Sequence, residues 1–428
     1  MAKVLVLLAV LTACSLVLGV KRNEGEQHWA VLVAGSNSWY NYRHQADICH
    51  AYQILSKNGI PDERIIVFMY DDIANDPENP TPGVIINKPD GPDVYSGVPH
   101  DYVGDDVTPE NFLAVLTGNS SATTGKVLQS DSDDHVFVYF ADHGATDLIA
   151  FPSSELYSTD LLAALHTMHD NEMYGKLVFY LEACESGSMF VDLPTDTNIY
   201  ATTAADPDES SYGFYCNVTG MPCLGDEYSI HWMEDSDAED LSTETLDQQF
   251  KLVKQETQES HVSEYGNMDF QTESLIDFQG GSSSSGPVKK ESKGPRSHDS
   301  FSVIPSREIQ MTKLHMALRD EKDLQKRDDI LRQITEVSEH QRLMIKTVQL
   351  IASVVAKDDK MATLYMTRPK KLTVHNKVCY KTVVSAFSEN CFRLGQNEYA
   401  TGLVYVFGNM CNQFIPEKII LAAISKAC

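Results

Sequence analysis

The chain has 428 residues, of which 42% are hydrophobic, and its formal net charge is −27 at pH 7. A chain of this length can form about two or three globular domains. Its acidity argues against nucleic acid as a partner, because the phosphate backbone would repel it. Residues 1–19 combine a short basic start, an apolar run and a final glycine, which predicts a secretory signal peptide. No later segment has the run of about 18 apolar residues that a membrane span requires, so we expect a lumenal or secreted protein.

Glycosylation motifs and cysteines agree with passage through the secretory pathway. N-glycosylation acceptor motifs occur at Asn119 and Asn217. In an oxidising compartment, the four cysteines within residues 379–428 predict two disulfides, and their spacing alone leaves three pairings open. Cys216 and Cys223 are close enough in sequence to form a local bridge.

Predicted strands and helices alternate along the first two thirds of the chain. Apolar runs rich in β-branched and aromatic residues predict strands, whereas apolar residues at spacings of three and four predict helices. Strands are expected over 28–37, 63–72, 135–142, 148–151, 176–183 and 198–205, and helices over about 43–57 and 158–170. This alternation predicts an α/β fold with a mostly parallel sheet and helices on both faces.

A polar segment then divides the chain. Residues 280–300 are rich in Gly, Ser, Pro and charge, which predicts a linker. From Leu324 to Val355 the apolar residues recur at spacings of three, four and seven, which predicts an all-α unit. The expected organisation is a signal peptide over 1–19, a large α/β domain over 20–279, a flexible linker or activation peptide over 280–317 and a helical domain over 318–428.

The two units carry opposite net charge. Residues 303–428 contain 19 Lys and Arg against 13 Asp and Glu, a net charge of +6. Residues 1–302 contain 15 against 48, a net charge of −33. Electrostatic complementarity therefore predicts that the helical unit docks on the α/β unit. Acid is expected to loosen this contact, because it protonates carboxylates.

A histidine and a cysteine follow two of the predicted strands. His143 comes directly after the strand at 135–142, and Cys184 comes directly after the strand at 176–183. Ligands of open α/β sheets bind beyond the carboxyl ends of the strands, so both side chains are expected at one site. An imidazole beside a thiol can serve as base to a nucleophile, which predicts acyl-transfer chemistry. Cys49 lies in a predicted helix instead and is expected to be a buried core thiol.

The sequence lacks the motifs of several other enzyme classes. There is no HExxH of zinc peptidases, no GxxxxGK[ST] of P-loop enzymes and no GxGxxG of dinucleotide-binding enzymes. The QACxG motif of caspases is absent too, because Glu182 replaces its Gln and Glu185 follows the cysteine. We therefore expect no metal and no cofactor.

Eight segments, in order, carry a resemblance to a known family: AGSNSWYNYRHQADICHAYQ, MYDDIA, NPTPG, YFADHGA, EACESGSM, YATTAA, ESSYG and WMEDSD. Over nearly its whole length after the signal, the chain resembles the legumains, asparaginyl endopeptidases with a caspase-like fold. The resemblance implies a cysteine endopeptidase made as a zymogen, which cleaves after Asn and, at acidic pH, after Asp. The alternative is a peptide ligase or transpeptidase, in which an amine rather than water takes up the same acyl group.

The resemblance assigns catalytic roles to individual residues. Cys184 is implied as the nucleophile and His143 as the base. Asn41, in the loop after the first strand, is implied as the third member that orients the imidazole. The backbone N–H groups of Gly144 and Cys184 could form an oxyanion hole for the peptide carbonyl.

A specificity pocket is implied at Arg43, His44, Glu182, Ser210 and Asp226. Arg43 can donate to a side-chain carbonyl, while Glu182 and Asp226 can accept from an amide NH2 group. This combination suits the carboxamide of Asn, which both donates and accepts. Ionised Asp would be repelled by the two acids, whereas protonated Asp could enter at low pH.

The resemblance also concerns maturation and partners. It implies residence in the lysosome or endosome or secretion, peptide and protein substrates, inhibition by the chain's own C-terminal prodomain, and inhibitors of the cystatin type. The implied disulfides are Cys379–Cys411 and Cys391–Cys428.

Self-activation is expected to differ from the family pattern. Family members often release the prodomain at an Asn shortly before the helical unit, but no Asn occurs between Asn267 and Asn376. Asp299 and Asp320 are therefore the expected self-cleavage sites, and both would require acid, because only protonated Asp fits the implied pocket.

Overall fold

The computed structural model describes residues 26–281 and 302–428. The predicted signal peptide and Asp299 lie outside these residues. The strands are β1 (His28–Ala34), β2 (Ile65–Phe68), β3 (His135–Ala141), β4 (Gly144–Ala145), β5 (Leu148–Ala150), β6 (Glu155–Tyr157), β7 (Lys176–Glu182), β8 (Ile199–Thr203), β9 (Tyr212–Phe214), β10 (Gly225–Asp226), β11 (Ser263–Gly266) and β12 (Ile304–Pro305). The α-helices are α1 (Tyr42–Lys57), α2 (Pro109–Leu116), α3 (Ser158–Asp170), α4 (Glu227–Ala238), α5 (Leu246–Glu256), α6 (Ile276–Gln279), α7 (Ile309–Asp320), α8 (Leu324–Val355), α9 (Asp359–Met366), α10 (Lys377–Asn390), α11 (Glu398–Thr401), α12 (Tyr405–Asn412) and α13 (Glu417–Ala427).

The central sheet has six strands in the order β11-β8-β7-β3-β1-β2. All neighbouring pairs are parallel except β11 and β8, which are antiparallel. All seven residues of β3 are buried. A continuous apolar run of this kind is what a parallel strand needs when both faces of its sheet are covered. The predicted mostly parallel sheet is therefore confirmed.

Helices cover both faces of this sheet, as the sequence predicts. Successive side chains of a strand point to opposite faces. Ala30 and Leu32 of β1 accordingly pack in one apolar core with α1, α4 and α5, whereas Val31 and Val33 pack in a second core with α2 and α3. The sheet is thus held between two layers, and this frame fixes the loops that leave the ends of its strands.

Two small sheets lie beside the central one. Strands β4, β5 and β6 form an antiparallel sheet, so the strand predicted over 148–151 belongs to this sheet and not to the parallel one. Strand β9 pairs with β10 and with β12. Because β12 comes from the segment after the polar linker, that segment adds a strand to the α/β unit.

The structure differs from the predicted flexible linker over 280–317 in its last part. Residues 302–317 form β12 and most of α7, and α7 continues to Asp320, past the predicted domain boundary. The physical reason is apolar burial: Ile304, Ile309 and Leu314 are only 3%, 1% and 4% exposed. Burying such side chains offsets the conformational entropy that is lost when the segment becomes ordered.

The remaining C-terminal residues form the predicted all-α unit. The long helix α8 packs against α7, α9 and α13. No helix within the two described ranges is both long and apolar enough to cross a membrane. Cys49 is a buried free thiol, as expected. The disulfides are Cys216–Cys223, Cys379–Cys411 and Cys391–Cys428, so the last two have the pairing that the resemblance implies.

Candidate active site

The carboxyl ends of β1, β3 and β7 lie side by side at one edge of the sheet. Ala34 of β1 is in register with Ala141 of β3, which is in register with Glu182 of β7. His143 follows β3 by two residues, and Cys184 follows β7 by two residues. The parallel register therefore brings the two side chains to the same edge of the sheet, as the sequence analysis expects.

Cys184 is buried among hydroxyl groups. Its Sγ lies 3.1 Å from Ser210 Oγ and 3.6 Å from Ser211 Oγ, and the Ser211 backbone N–H donates to it at 3.4 Å. Burial raises the pKa of the Cys184 thiol, and the nearby Arg307 guanidinium opposes this rise only in part. The sulfur therefore keeps its proton at neutral pH and is a weak nucleophile in this form. Ser210, implied as a pocket residue, contacts the implied nucleophile here.

His143 faces two carboxylates. Its Nδ1 lies 3.2 Å from Glu398 Oε1 of α11, and its Nε2 lies 3.9 Å from Asp142 Oδ1. Burial alone would lower the pKa of His143, but the charges of Glu398 and Asp142 raise it above its ordinary value. An imidazole that holds its proton cannot take one from a thiol. Within residues 26–281 and 302–428, no hydrogen bond joins His143 to Cys184, so the pair is not engaged in this form of the protein.

Asn41 and Gly144 lie close to this pair. Asn41 ends a short 3-10 turn before α1, and its amide donates to the Asn37 carbonyl at 2.9 Å. It lines the same cavity as His143, of about 360 Å³. A Cβ on Gly144 would lie only 2.3 Å from the Cys184 carbonyl oxygen, so a glycine is required there. An orienting role for Asn41 and an oxyanion role for the Gly144 N–H remain predictions.

Arg43 and Glu182 are the centre of the implied pocket. Arg43 Nε donates to Asp226 Oδ1 at 2.8 Å, and both side chains are only 1% exposed. Burial would lower the pKa of Arg43, but the carboxylates of Asp226 and Glu398 raise it. Glu182 Oε2 accepts from the Ser229 backbone N–H at 3.1 Å and from its hydroxyl at 2.8 Å. The sequence thus identified groups that the fold places in one buried polar cluster.

His44 lies between this cluster and His143, the implied base. Its Nδ1 lies 2.6 Å from Ser36 Oγ, and its Nε2 lies 3.5 Å from Asp226 Oδ2. Its ring meets the His143 ring edge to face, with the centroids 5.0 Å apart. Burial and the charge of Arg43 lower the pKa of His44 well below its ordinary value. His44 is therefore a neutral hydrogen-bonding group rather than a second cation in the pocket.

Several polar atoms of the cluster are unsatisfied. Within the described residues, Arg43 Nη2, Glu182 Oε1 and Asp226 Oδ2 are buried and have no hydrogen-bond partner. Leaving such a group unpaired costs about 1–3 kcal/mol. Arg43 Nη2 has only a longer contact to Glu398 Oε1, at 3.8 Å, and Asp226 Oδ2 only one to His44 Nε2, at 3.5 Å. A donor and two acceptors without hydrogen bonds at one place fit a site that a polar ligand completes.

Two arginines from the C-terminal part of the chain bind Glu185, the residue after Cys184. Arg307 donates to both carboxylate oxygens of Glu185, at 3.1 and 2.6 Å, and to the Gly144 carbonyl at 2.7 Å. Arg368 also donates to Glu185. Sequence reasoning missed these arginine contacts and the Glu398 contact. The net charge of +6 over residues 303–428 predicts contact with the acidic unit, but it does not identify which basic side chain pairs with which acidic one.

Further ion pairs join the two units away from the site. Lys377 Nζ lies 3.0 Å from Asp147 Oδ1 and 2.7 Å from Asp192 Oδ2. Lys381 Nζ lies 2.6 Å from Asp160 Oδ2. The basic helical unit therefore lies on the acidic α/β unit, as the charge distribution predicts.

Comparison with known proteins places this architecture in a family. The sequence pattern of the peptidase C13 family matches residues 28–281, and that of the legumain prodomain matches residues 332–428. The chain belongs to the peptidase C13 family. Among relatives, legumain of Rattus norvegicus is 47% identical over 435 residues, covering 100% of this chain and 98% of the relative. Legumain of Homo sapiens is 45% identical, with 95% and 94% coverage. The vacuolar-processing enzyme beta-isozyme of Arabidopsis thaliana is 41% identical, with 94% and 86% coverage.

These relatives make the chain a legumain-type cysteine endopeptidase with an intramolecular prodomain, and they confirm the resemblance found in the sequence. A caspase-1 structure from Spodoptera frugiperda also aligns, with a TM-score of 0.38 and 11% identity over 61% of this chain and 94% of that one. The comparisons give no support to the ligase alternative.

Proposed function

We propose that this C13 peptidase is the zymogen of an endopeptidase that cleaves on the carboxyl side of Asn through Cys184 and His143. The observation that carries the proposal is the set of buried polar atoms of Arg43, Glu182 and Asp226 that have no hydrogen bond, because the set holds both a donor and acceptors. A carboxamide offers one acceptor oxygen and two donor hydrogens, so it can satisfy both kinds of atom at once.

The charge of the cluster explains why Asn would be favoured over Asp. The Arg43 guanidinium is already paired with Asp226, so an entering carboxylate would also meet Glu182 and Asp226. Burial and the charge of Asp226 raise the pKa of Glu182 well above its ordinary value. A protonated Glu182 would still offer its carbonyl oxygen to an amide, whereas an ionised Asp would remain without a full counter-charge.

The reaction would follow from the placement of the two side chains. With the prodomain displaced, the imidazole of His143 loses the Glu398 carboxylate and can accept the Cys184 proton. The thiolate attacks the peptide carbonyl carbon, whose oxygen would be held by the N–H groups of Gly144 and Cys184. His143 then protonates the leaving amine, and water hydrolyses the thioester. Asn41 would orient the imidazole once its side chain turns from the Asn37 carbonyl.

Inhibition in the zymogen would rest on Glu398 and Arg307. The single Glu398 Oε1 lies 3.2 Å from His143 Nδ1 and 3.8 Å from Arg43 Nη2, so it occupies the space between base and pocket. Arg307 covers the Gly144 carbonyl beside the nucleophile. One carboxylate and one guanidinium of the C-terminal half would thus block the base, the pocket and the substrate path.

The secretory route is part of the proposal. The signal peptide that would open this route lies outside the described residues, but both predicted glycosylation acceptors, Asn119 and Asn217, are exposed. Residence in an acidic lysosomal or endosomal compartment and inhibition by cystatin-type proteins are proposed from the family alone.

Pocket variants should change selectivity more than turnover. Arg43→Lys keeps the charge but loses the planar fork, so we expect kcat/KM for an Asn peptide to fall about 100-fold while that for an Ala peptide changes little. Glu182→Lys should reduce discrimination against Asp at pH 6, because an acceptor for the amide NH2 group is replaced by a positive charge. The measurement is kcat/KM on matched Asn, Asp and Ala peptides with processed enzyme. Glu110→Gln, on the exposed start of α2, is the control. Unchanged selectivity in both pocket variants would refute the pocket.

Self-cleavage at Asp320 should require strong acid. A hydrogen bond from Arg319 lowers the pKa of the exposed Asp320 carboxyl, so its neutral form becomes the major one only below the ordinary Asp value of about 3.9. Asp320→Asn should remove this requirement and speed self-processing at pH 5.5 by about tenfold or more, whereas Asp328→Asn, within α8, should not. N-terminal sequencing of the fragments checks this. Equal processing of a Cys184→Ala chain alone, or cuts only after Lys or Arg, would exclude self-cleavage here.

A further inference from the structure

Two histidines lie at the edge of the sheet opposite the active site. His28 begins β1 and His135 begins β3, and the two are register partners. Their rings stack with the centroids 6.1 Å apart and the planes at 14°. Six residue steps of about 3.3 Å separate this edge from the catalytic edge, a distance of about 20 Å. The mechanism uses neither histidine.

An acidic residue and a helix complete the cluster. Glu26, just before β1, places Oε1 3.1 Å from His135 Nδ1 and 3.8 Å from His28 Nε2. The Asp277 carbonyl of α6 lies 2.8 Å from the same His135 Nδ1. The Phe278 ring stacks on His135 with the centroids 5.1 Å apart, which fixes the plane of the imidazole. The segment before β1, two strands and α6 therefore converge on one point.

The distances are close to those of a metal site. One ligand atom each from Glu26, His28 and His135 lies within 4.8 Å of the others. A tetrahedral zinc ion with bonds of about 2.0–2.1 Å holds its ligands about 3.3 Å apart. The Glu26–His135 and Glu26–His28 distances lie on either side of that value, so small side-chain rotations would close the site.

The hydrogen bonding also leaves room for a cation. The single hydrogen that His135 Nδ1 can carry faces two oxygens, the Asp277 carbonyl and the Glu26 carboxylate. A divalent ion would satisfy both oxygens and both imidazoles at once.

We propose that Glu26, His28 and His135 bind one Zn²⁺ ion, with the Asp277 carbonyl oxygen beside them as the fourth ligand. Two imidazoles and a carboxylate are a donor set that zinc favours, whereas Ca²⁺ and Mg²⁺ prefer oxygen ligands alone. This site is structural, since it lies a full strand length from Cys184. It ties the segment that enters β1 to α6, the last helix before residues 282–301. The proposal departs from the sequence analysis, which expects no metal.

A second cluster in the same chain supplies a matched control. Asp206, Glu209 and His261 also bring three ligand atoms within 4.8 Å. There, however, only one imidazole is present, and Glu209 Oε1 already accepts the backbone N–H groups of Asp206 and His261. This cluster has its acceptors satisfied, so it is expected to bind zinc far more weakly.

The experiment uses the full-length zymogen carrying Cys184→Ala, so that the active-site thiol cannot bind the probe. After removal of metal with a chelator, Zn²⁺ is titrated at pH 7.5 by calorimetry, and Co²⁺ binding is followed by visible absorption. We expect one Zn²⁺ per chain and a rise in Tm of about 3–5 °C at a hundredfold excess over Kd.

His28→Gln and Glu26→Gln should each weaken Zn²⁺ binding at least tenfold, whereas His261→Gln should leave the affinity unchanged. Circular dichroism without metal checks that each variant is folded. No stoichiometric binding by the zymogen, or binding that neither His28→Gln nor Glu26→Gln weakens, would overturn the site.

Discussion

Replacing Cys184 with alanine should lower kcat/KM for an Asn peptide about 10⁴-fold or more while the chain remains folded. The sulfur is the group that would form the acyl-enzyme, and no neighbouring side chain replaces it: the Ser210 hydroxyl, 3.1 Å away, is a far weaker nucleophile than a thiolate. Loss of a nucleophile that acts as a unit with its base has an effect of this size. Removing one buried sulfur leaves only a small cavity, so the unfolding transition should move by a few degrees at most.

Cys49→Ala is the matched control for this variant. Cys49 is the other free cysteine of the described chain, it is fully buried, and its sulfur lies 3.6 Å from Met69 Sδ in the core. We expect it to cost stability but to leave kcat/KM of the processed enzyme within about twofold, because within the described residues no hydrogen bond joins Cys49 to Cys184 or His143. More than a few per cent of wild-type activity in purified Cys184→Ala enzyme would disprove the assignment of the nucleophile.

Glu398→Gln should raise the peptidase activity of the uncleaved zymogen. The carboxylate meets His143 and Arg43 in a buried site, and removing one partner of a buried ion pair costs about 3–5 kcal/mol. Hydrolysis of a small Asn peptide by intact zymogen at pH 6 should therefore rise about 100-fold. The initial rate is measured while gel electrophoresis shows that the chain is uncut. Glu339→Gln, at an exposed position of α8, should have no such effect.

The pH dependence of this inhibition by Glu398 has a defined sign. Burial would raise the pKa of Glu398, but His143 and Arg43 lower it. The contribution of the Glu398 carboxylate to the stability of the docked prodomain is therefore present above the ordinary pKa of 4.5 and is lost as pH falls through the lowered pKa. His143 has a raised pKa, so its contribution is present below 6.5 and is lost as pH rises through that pKa. The difference in zymogen activity between wild type and Glu398→Gln should thus be largest between these two pH limits. A difference in zymogen activity that grows steadily below pH 4 would contradict this assignment.

Glu155 acts in the opposite direction at the same interface. Burial raises its pKa to about 7, although a hydrogen bond from Ser388 of α10 opposes the shift. A raised carboxyl pKa adds to docking at low pH and opposes it as pH rises through about 7. Acid therefore does not loosen every contact of the prodomain, and release must come from groups such as Glu398 that are ionised when docked.

The features that the sequence predicts correctly follow from local patterns. The apolar run before His143 and the run before Cys184 each identify a strand, and the parallel arrangement then requires that both residues lie at the same edge. The large α/β unit, the helical unit and their opposite charges likewise follow from composition and spacing within each segment.

The features that the sequence does not predict depend on long-range pairing. Glu398 is one of many charged residues in the helical unit, and only the docked structure brings it to His143. Arg307 lies just after a polar linker, so the segment 302–317 is assigned to that linker on composition, although three of its apolar side chains are buried. Asn41 is a different case. The resemblance implies its place beside His143, and it does line the same cavity, but its side-chain amide donates a hydrogen bond to the Asn37 carbonyl.

The most direct test of the account is the cleavage pattern of processed enzyme on one peptide that contains a single Asn, a single Asp, a single Gln and several Ala residues. The products are identified by mass spectrometry after incubation at pH 6, with Cys184→Ala protein prepared in the same way as the blank. The account predicts one cut, on the carboxyl side of Asn, with a second cut after Asp appearing only as the pH is lowered. Cleavage that is equally frequent after Gln or Ala, or an Asn cut that persists with the Cys184→Ala protein, would contradict it.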